Sequence, residues 1–240
     1  MKQLYISDSK TFKISRSKID LFIDCHQCFY LDRKLGVSRP SGPPFTLNSA
    51  VDHLLKKEFD IHRAKNKAHP LMSEYKIKAV PFSHKNLNDW RNNFKGIQYL
   101  HPESNFLIFG AVDDVWINDS KELHIVDYKA TSKAGEVELT DAKYHDAYRR
   151  QMEIYQWLFR KNDFKVSDTG YFVYANGQKD RKAFDAKLEF DVKIIPYKGN
   201  DDWIENIIMK IKKCLDDNSI PPSSEICEFC FYRKSAEAAF

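Results

Sequence analysis

Two stretches with the composition of β-strands, separated by a short polar turn, constrain this chain more than any other feature. The first covers residues 106–116 and the second residues 123–129, and both are rich in β-branched, aliphatic and aromatic residues. The segment between them contains Asn118-Asp119-Ser120, residue types that favour chain reversals. The pattern predicts a hairpin of two neighbouring strands.

Charged residues lie within both of these predicted strands. The first carries Asp113 and Asp114, which strand alternation places on opposite faces, so that only one of them faces a shared site. On the second strand Asp127 and Lys129 share a face, and Tyr128 points away. Charges in an otherwise apolar strand are costly unless they are paired or bound to metal. The pattern therefore favours a compact site for a hard cation and an anionic substrate, the alternative being a salt bridge between strands.

The remaining periodicity predicts a single domain over residues 1–240, of α/β or α+β type. Apolar residues at helical spacing predict helices over 15–25, 47–63, 85–94, 140–161 and 201–216. Further strands are predicted over 96–100, 169–174 and 187–195. The segment 65–84 is ambiguous.

Composition excludes some classes of protein. No apolar run approaches the length needed to cross a bilayer, and residues 1–8 lack the apolar core of a secretion signal, so we expect a cytoplasmic protein with no membrane partner. The net charge of +4 permits nucleic-acid binding without demonstrating it. Five cysteines, an odd number, argue against a disulfide framework in a chain without a secretion signal.

Four of the cysteines form two C-x-x-C pairs near the ends of the chain, Cys25 with Cys28 and Cys227 with Cys230. Each pair can present two thiolates to one ion, and two pairs complete a four-thiolate shell that suits zinc or an iron–sulfur cluster. The two segments, 25–28 and 227–230, are thus a candidate metal-binding satellite of the domain. The alternative is four reduced cysteines packed as small apolar side chains.

Three short motifs occur in order along the chain: Gly110-x-x-Asp113, Asp127-x-Lys129 and Gln151-x-x-x-Tyr155. In this order and in these predicted elements they resemble the PD-(D/E)XK nuclease superfamily, in the form seen in RecB-type nuclease domains and the CRISPR-adaptation nuclease. The resemblance covers about residues 14–233. The glycine spacing of the family selects Asp113 rather than Asp114.

The resemblance implies a restriction-endonuclease-like core, with a central mixed β-sheet flanked by helices and the two cysteine pairs brought together. It also implies a Mg²⁺- or Mn²⁺-dependent deoxyribonuclease of DNA repair, recombination or defence, which acts on DNA. The partner that the resemblance implies is a helicase or another repair or defence protein. The implied metal ligands are Asp113, Asp127 and the backbone carbonyl of Tyr128. Lys129 assists the chemistry, while Gln151 and Tyr155 position the substrate or the catalytic lysine region.

The chain departs from the family pattern at two places. The family expects Gly-x-x-x-His on the early helix, where this chain has Asn48 and Asp52, with His53 one residue later. Asp52 can replace the histidine as a metal ligand; alternatively the site is weakened and the protein is a nucleic-acid-binding module, with or without a redox-sensing cysteine centre. In the related nucleases one N-terminal and three C-terminal cysteines hold a [4Fe-4S] cluster, whereas this chain has two and two.

Overall fold

The computed structural model of the chain describes residues 4–6 and 11–239. The strands, in chain order, are β1 (Phe12–Ser15), β2 (Ala79–Pro81), β3 (Ile97–His101), β4 (Phe106–Gly110), β5 (Asp114–Asn118), β6 (Leu123–Thr131), β7 (Thr169–Gly177) and β8 (Phe190–Lys198). The helices are α1 (Arg16–Asp24), α2 (His26–Arg33), α3 (Thr46–Ala64), α4 (Pro70–Glu74), α5 (Leu87–Trp90), α6 (Lys143–Arg160), α7 (Ile204–Asp216) and α8 (Glu228–Glu237).

The chain forms two compact units. The first comprises Met1–Pro43, Gln98–Phe109 and Asp202–Phe240. It contains a three-stranded sheet in the order β1-β4-β3, in which β1 and β4 are parallel. Helix α7 packs on α1 and α2 in this unit. The prediction of a single domain concerns folding behaviour and stays a prediction.

The second unit comprises Pro44–Ile97 and Gly110–Asp201. Its five-stranded sheet has the order β2-β5-β6-β7-β8. Strands β6 and β7 are parallel and the other neighbouring pairs are antiparallel, so the sheet is mixed. The connection between the parallel strands contains α6, as parallel neighbours require a crossover. The predicted mixed α/β class, with a mixed sheet and flanking helices, is confirmed.

Alternation along β6 sends successive side chains to opposite faces of this sheet. On one face Tyr128 and Trp116 pack against Phe59 of α3, within a core of buried apolar residues. On the other face Phe172 contacts Tyr148 of α6. The helical stripe predicted for residues 140–161 is therefore the side of α6 that covers the sheet, and both faces of β6 are protected from water.

The predicted first arm of the hairpin is not one continuous strand. Residues 106–110 pair in the three-stranded sheet, whereas residues 114–118 pair with β6 in the five-stranded sheet. Between them the backbone N–H of Val112 donates to the carbonyl of Trp90 at 3.1 Å, outside both sheets. An apolar run cannot reveal this change of sheet, because both halves keep the composition of a strand.

The cysteine-containing segments also fold more regularly than the periodicity indicated. Residues 26–33 form α2 directly after α1, and residues 228–237 form α8. Both helices are short, with eight and ten residues, so they lack the long apolar stripe that marks a helix in sequence. Among the residues that the structure describes, no helix has the length and apolar character to cross a bilayer.

Candidate active site and cysteine cluster

A cleft of about 310 Å³ opens in the second unit where β6 leaves its antiparallel partner. Its walls come from α3, the residue preceding β5, the later part of β6 and the start of α6. The lining residues are Phe45, Asn48, Ser49, Val51, Asp52, Leu55, Asp113, Tyr128, Lys129, Ala130 and Tyr148. Two carboxylates and a lysine that the sequence singled out thus face one cleft.

Asp113 is held by the end of the β5–β6 ladder. The ladder closes at the pair formed by Asp114 and Val126, so the next outward-facing N–H of β6 needs another acceptor. The backbone N–H of Tyr128 donates to Oδ2 of Asp113 at 2.9 Å. The other oxygen of this carboxylate accepts from Lys56 Nζ at 3.0 Å. Asp113 is therefore fixed by main-chain geometry, with 22% of its side chain exposed to the cleft.

Asp127 lies beneath Lys129 in a hydrogen-bonded network that reaches α6. The two form an ion pair, and the Asp127 side chain is only 1% exposed. Gln151 Nε2 donates to Oδ1 of Asp127 at 2.7 Å and to the hydroxyl of Tyr155 at 3.3 Å. Lys129 Nζ donates to Gln151 Oε1 at 3.4 Å and lies 4.4 Å from the ring centroid of Tyr148. One glutamine amide thus joins the acid, the lysine and the tyrosine.

Asp52 reaches the same cleft from α3. Its Oδ2 accepts from Lys56 Nζ at 2.8 Å, so this lysine bridges Asp52 and Asp113. The spacing of four residues between Asp52 and Lys56 puts both on one side of the helix. His53 is exposed instead. Of the two residues near the expected histidine position, the structure brings only Asp52 to the cleft.

The charges in the cleft shift several pKa values. Burial, followed by repulsion from Asp113, raises the pKa of Asp52. For Lys56 burial is the largest influence and lowers the pKa, but the attraction of Asp113 and Asp52 outweighs it and the net pKa is raised. Lys129 behaves alike: burial lowers its pKa, and the charges of Asp127 and Asp113 outweigh that effect. Both lysines are therefore cations at neutral pH.

Asp114 occupies the opposite face and belongs to a buried ion-pair network. Its carboxylate is fully buried, pairs with Arg63 and accepts from Arg91 Nη2 at 3.0 Å and from the hydroxyl of Tyr128 at 2.9 Å. Arg91 Nε also donates to the backbone carbonyl of Asp113 at 2.9 Å. Both arginines bond to Asp60 on α3. The network holds the Asp113–Asp114 segment in place from behind the cleft.

The donor set in the cleft fits a hard divalent cation. Mg²⁺ and Mn²⁺ take oxygen ligands and need only one or two protein carboxylates, since water and substrate phosphate complete the shell. Asp52 and Asp113 already share one cationic group, the ammonium of Lys56, and burial followed by repulsion from Asp113 raises the pKa of Asp52. Asp127 is paired with Lys129 instead. Asp113 and Asp52 are thus the residues best placed to hold the ion, and Lys56 occupies their shared position.

The two cysteine pairs meet in the first unit, as predicted. Sγ of Cys28 lies 3.6 Å from that of Cys227 and 3.5 Å from that of Cys230, and Cys25 Sγ lies 3.8 Å from Cys230 Sγ. All four sulfurs fall within 4.8 Å of one another and all four residues are buried. Within the described residues this is the one group of three or more His, Cys, Asp or Glu ligand atoms so closely spaced. Cys214, the fifth cysteine, is outside it and half-buried.

The structure also adds residues that the sequence did not single out. Lys56 had a usable signal, because it stands four residues after Asp52 on a predicted helix. Tyr148 belongs to the helix predicted over residues 140–161, and its ring also lies over the ammonium of Lys129. Arg63 and Arg91 had no signal, since their partnership with Asp114 depends on contacts between distant segments. The catalytic roles that the resemblance implies for Asp113, Asp127, Lys129, Gln151 and Tyr155 stay predictions.

Comparison with known proteins supports the family. The profile of the PD-(D/E)XK nuclease superfamily matches residues 13–235. Among solved structures, the chain is similar to a candidate exonuclease from Eubacterium rectale, with 13% identity, 92% of this chain and 88% of that chain covered, and a TM-score of 0.45. No curated protein sequence matches the chain. Since the superfamily profile spans nearly all of its length, the chain belongs to the PD-(D/E)XK nuclease superfamily.

Proposed function

We propose that this protein is a Mg²⁺- or Mn²⁺-dependent deoxyribonuclease that hydrolyses phosphodiester bonds in the cleft of the second unit. The observation that carries the proposal is the bonded network of Asp127, Lys129, Gln151 and Tyr155 beside the cleft-facing Asp113. A salt bridge on a surface would not need a buried acid or a glutamine that bonds to both members of the pair. The superfamily membership supports the same reaction class.

Each residue has a distinct part in this proposal. When bound, the metal supplies an activated water and neutralises phosphate charge. Asp113 and Asp52, which line the cleft, would hold it, and Asp127 and the Tyr128 carbonyl would be further ligands. Lys129 is a half-buried donor whose pKa is raised by Asp127 and Asp113 against the effect of burial, and it stabilises the negative charge that develops on the phosphorus-bound oxygens.

Gln151 and Tyr155 act through Lys129 rather than on the substrate directly. The glutamine accepts from the lysine and donates to Asp127, which limits the ammonium to one position. Tyr148 covers the same ammonium with its ring. A lysine held from three sides costs little reorganisation at the moment of reaction, which is where such donors gain their effect.

A substrate panel tests the proposal and fixes its finer points. Single-stranded DNA, double-stranded DNA and RNA of one sequence, each labelled at one end, are incubated with Mg²⁺, Mn²⁺ or EDTA. We expect cleavage of DNA that EDTA abolishes, and a closed circular substrate separates endonuclease from exonuclease action. Cleavage of RNA alone, or cleavage unaffected by EDTA, would contradict the proposal.

A second candidate function rests on Lys56. Its ammonium bridges Asp52 and Asp113 and so neutralises the position that a metal would take. If Lys56 stays between the two carboxylates and keeps a metal from binding there, the protein is a nucleic-acid-binding module of the same fold. That function predicts salt-sensitive DNA binding without turnover in Mn²⁺, and gain of cleavage in a Lys56→Met variant. Metal-dependent cleavage by the wild-type protein excludes it.

We further propose that the activity serves DNA repair, recombination or defence in the cytoplasm, with a helicase or other partner protein. Superfamily membership motivates this setting. Copurification of the chain with a nucleic-acid translocase from its own cells tests the partnership.

A further inference from the structure

The spacing of the four cysteine sulfurs distinguishes one metal ion from a cluster of several. A zinc ion binds thiolate sulfur at about 2.3 Å, and four such bonds in a tetrahedron set neighbouring sulfurs about 3.8 Å apart. Three of the sulfur pairs here are 3.5, 3.6 and 3.8 Å apart. These distances match the edge length of a tetrahedron of thiolates around a single ion.

A multi-iron cluster requires a wider arrangement. In a [4Fe-4S] cluster each thiolate binds a different iron, so the metal–metal spacing adds to two Fe–S bonds and the sulfurs stand more than about 5 Å apart. In a [2Fe-2S] cluster two thiolates share each iron, and sulfurs on different irons are likewise separated by about 5 Å or more. Here all four sulfurs lie within 4.8 Å of one another, and the distances of 3.5, 3.6 and 3.8 Å each join one C-x-x-C pair to the other. The site therefore lacks the space that either cluster needs.

We propose that Cys25, Cys28, Cys227 and Cys230 bind one zinc ion in a closed tetrahedral site, in place of the iron–sulfur cluster that the family resemblance implies. Zinc suits four thiolates and has no redox chemistry of its own. The centre is then structural and does not sense oxidation by electron transfer.

The surroundings of the sulfurs fit an ion with four thiolates. Zn²⁺ with four thiolates carries a net charge of about −2, which donors in the surrounding shell must offset. Arg39 Nη2 donates to Cys227 Sγ at 3.4 Å, and the backbone N–H of Ser224 donates to Cys25 Sγ at 3.4 Å. Asp24 holds the guanidinium from its other side at 3.1 Å. The arginine also lies 4.7 Å from the ring centroid of Phe229, so its position is set by three partners.

The site explains how the C-terminal helix is held. Within α8 the buried residue is Cys230, whereas Phe229, Phe231 and Tyr232 are exposed. A helix that buries so little apolar surface gains little from packing. The thiolate–zinc bonds of Cys227 and Cys230 supply the missing attachment to α2. Without the ion, we expect residues 217–239 to detach from the rest of the first unit.

Metal analysis of the full-length protein tests the proposal. The protein is purified without oxygen from cells given both iron and zinc, and its zinc, iron and acid-labile sulfide are measured. We expect about one zinc per chain, no sulfide and no visible colour. About four iron and four sulfide per chain, with a brown colour, would overturn the proposal, as would a single iron without sulfide.

A pair of matched variants connects the metal to these cysteines. Cys227→Ser should lose zinc, whereas Cys214→Ser, which changes a thiol outside the group, should keep it. If Cys227→Ser does not fold, the wild-type protein still gives an answer: cobalt exchanged into it should show the ligand-field bands of a tetrahedral tetrathiolate site. Spectra of octahedral cobalt would exclude this coordination.

Chelation tests the structural role without any reference to nuclease activity. Zinc is withdrawn from the wild-type protein by a chelator under reducing conditions, and limited proteolysis is followed by mass spectrometry. Cuts should appear first within residues 217–239 and vanish when zinc is restored. An unchanged cleavage pattern in protein shown to be free of zinc would contradict the role assigned to the ion.

Discussion

Exchanging either of two adjacent aspartates for asparagine should produce opposite kinds of damage. Asp113 lies in the cleft with 22% of its side chain exposed, and Asp114 is fully buried between Arg63 and Arg91. Asp114→Asn removes the charge that these arginines share, and Asp113→Asn removes a proposed metal ligand. Since the two substitutions are chemically identical, their effects report on environment alone.

The magnitude for Asp114→Asn follows from its partners. Breaking a buried ion pair by removing one member costs about 3–5 kcal/mol, because the remaining charge stays buried. The side chains of Arg63 and Arg91 are only 9% and 10% exposed, but both keep their bonds to Asp60. We therefore expect Asp114→Asn to lower the free energy of unfolding by the lower end of this range, about 3 kcal/mol. For a unit of this size that loss lowers the thermal midpoint by about 6–12 °C.

Asp113→Asn should instead leave stability nearly unchanged and reduce cleavage. The lost attraction to Lys56 is partly solvent-screened, and the repulsion between Asp113 and Asp52 disappears with it. We expect a change of no more than about 1 kcal/mol in stability. Cleavage, in contrast, should fall by at least about 10²-fold, as expected when a group that stabilises the transition state is lost.

Thermal unfolding followed by tryptophan fluorescence, and DNA cleavage measured well below the midpoint, separate the two effects. Asp119→Asn in the exposed turn before β6 is the control and should match the wild-type protein in both assays. A wild-type midpoint for Asp114→Asn would refute the buried network. A midpoint for Asp113→Asn below that of Asp114→Asn would contradict the assignment of Asp113 to the cleft and of Asp114 to the buried network.

Four further outcomes are expected. Lys129→Met should lower cleavage by about 10²- to 10³-fold with its circular dichroism spectrum unchanged, and a loss of less than tenfold would contradict its role. Asp52→Asn should raise the Mg²⁺ concentration needed for half-maximal cleavage by at least about tenfold, and an unchanged value would remove Asp52 from the ligand set. Gly96→Ala should destabilise the protein by about 1–3 kcal/mol in urea unfolding, because Gly96 has a φ of +64° and an added Cβ would lie 2.3 Å from the Gly110 carbonyl oxygen. An unfolding midpoint equal to that of the wild-type protein would contradict that contact. For Asp60, burial raises the pKa, but Arg91 and Arg63 outweigh that effect and the net pKa is lowered. Its contribution to stability is therefore full above the ordinary aspartate pKa and is lost as the pH falls through the pKa of the folded state. Asp60→Asn should flatten that part of the stability–pH curve.

The sequence predicts the face of each charged residue more reliably than its partners. Alternation separated Asp113 from Asp114 and paired Asp127 with Lys129, because a period of two is a property of the local backbone. The helical stripe of α6 and the meeting of the cysteine pairs were also predicted correctly. These features depend on spacing within one segment or on a strong chemical preference.

Features that depend on long-range packing could not be predicted from the sequence. The network of Asp114 with Arg63 and Arg91 joins residues up to 51 positions apart. The change of sheet at residues 111–113 depends on the backbone contact with Trp90, which no local pattern records. Helices α2 and α8 are too short to show a long apolar stripe; α2 buries Phe29 and Tyr30 beside Cys28, whereas the buried residue of α8 is Cys230.

The most direct measurement is single-turnover cleavage of end-labelled DNA by wild-type, Asp127→Asn and Asp119→Asn proteins purified in parallel, with Mn²⁺ and with EDTA. The proposed site predicts metal-dependent cleavage by the wild-type and Asp119→Asn proteins, and none above background by Asp127→Asn. Equal cleavage by all three would show that the activity does not come from this cleft. Absence of cleavage by the wild-type protein, together with salt-sensitive DNA binding, would contradict the nuclease proposal and leave the binding module.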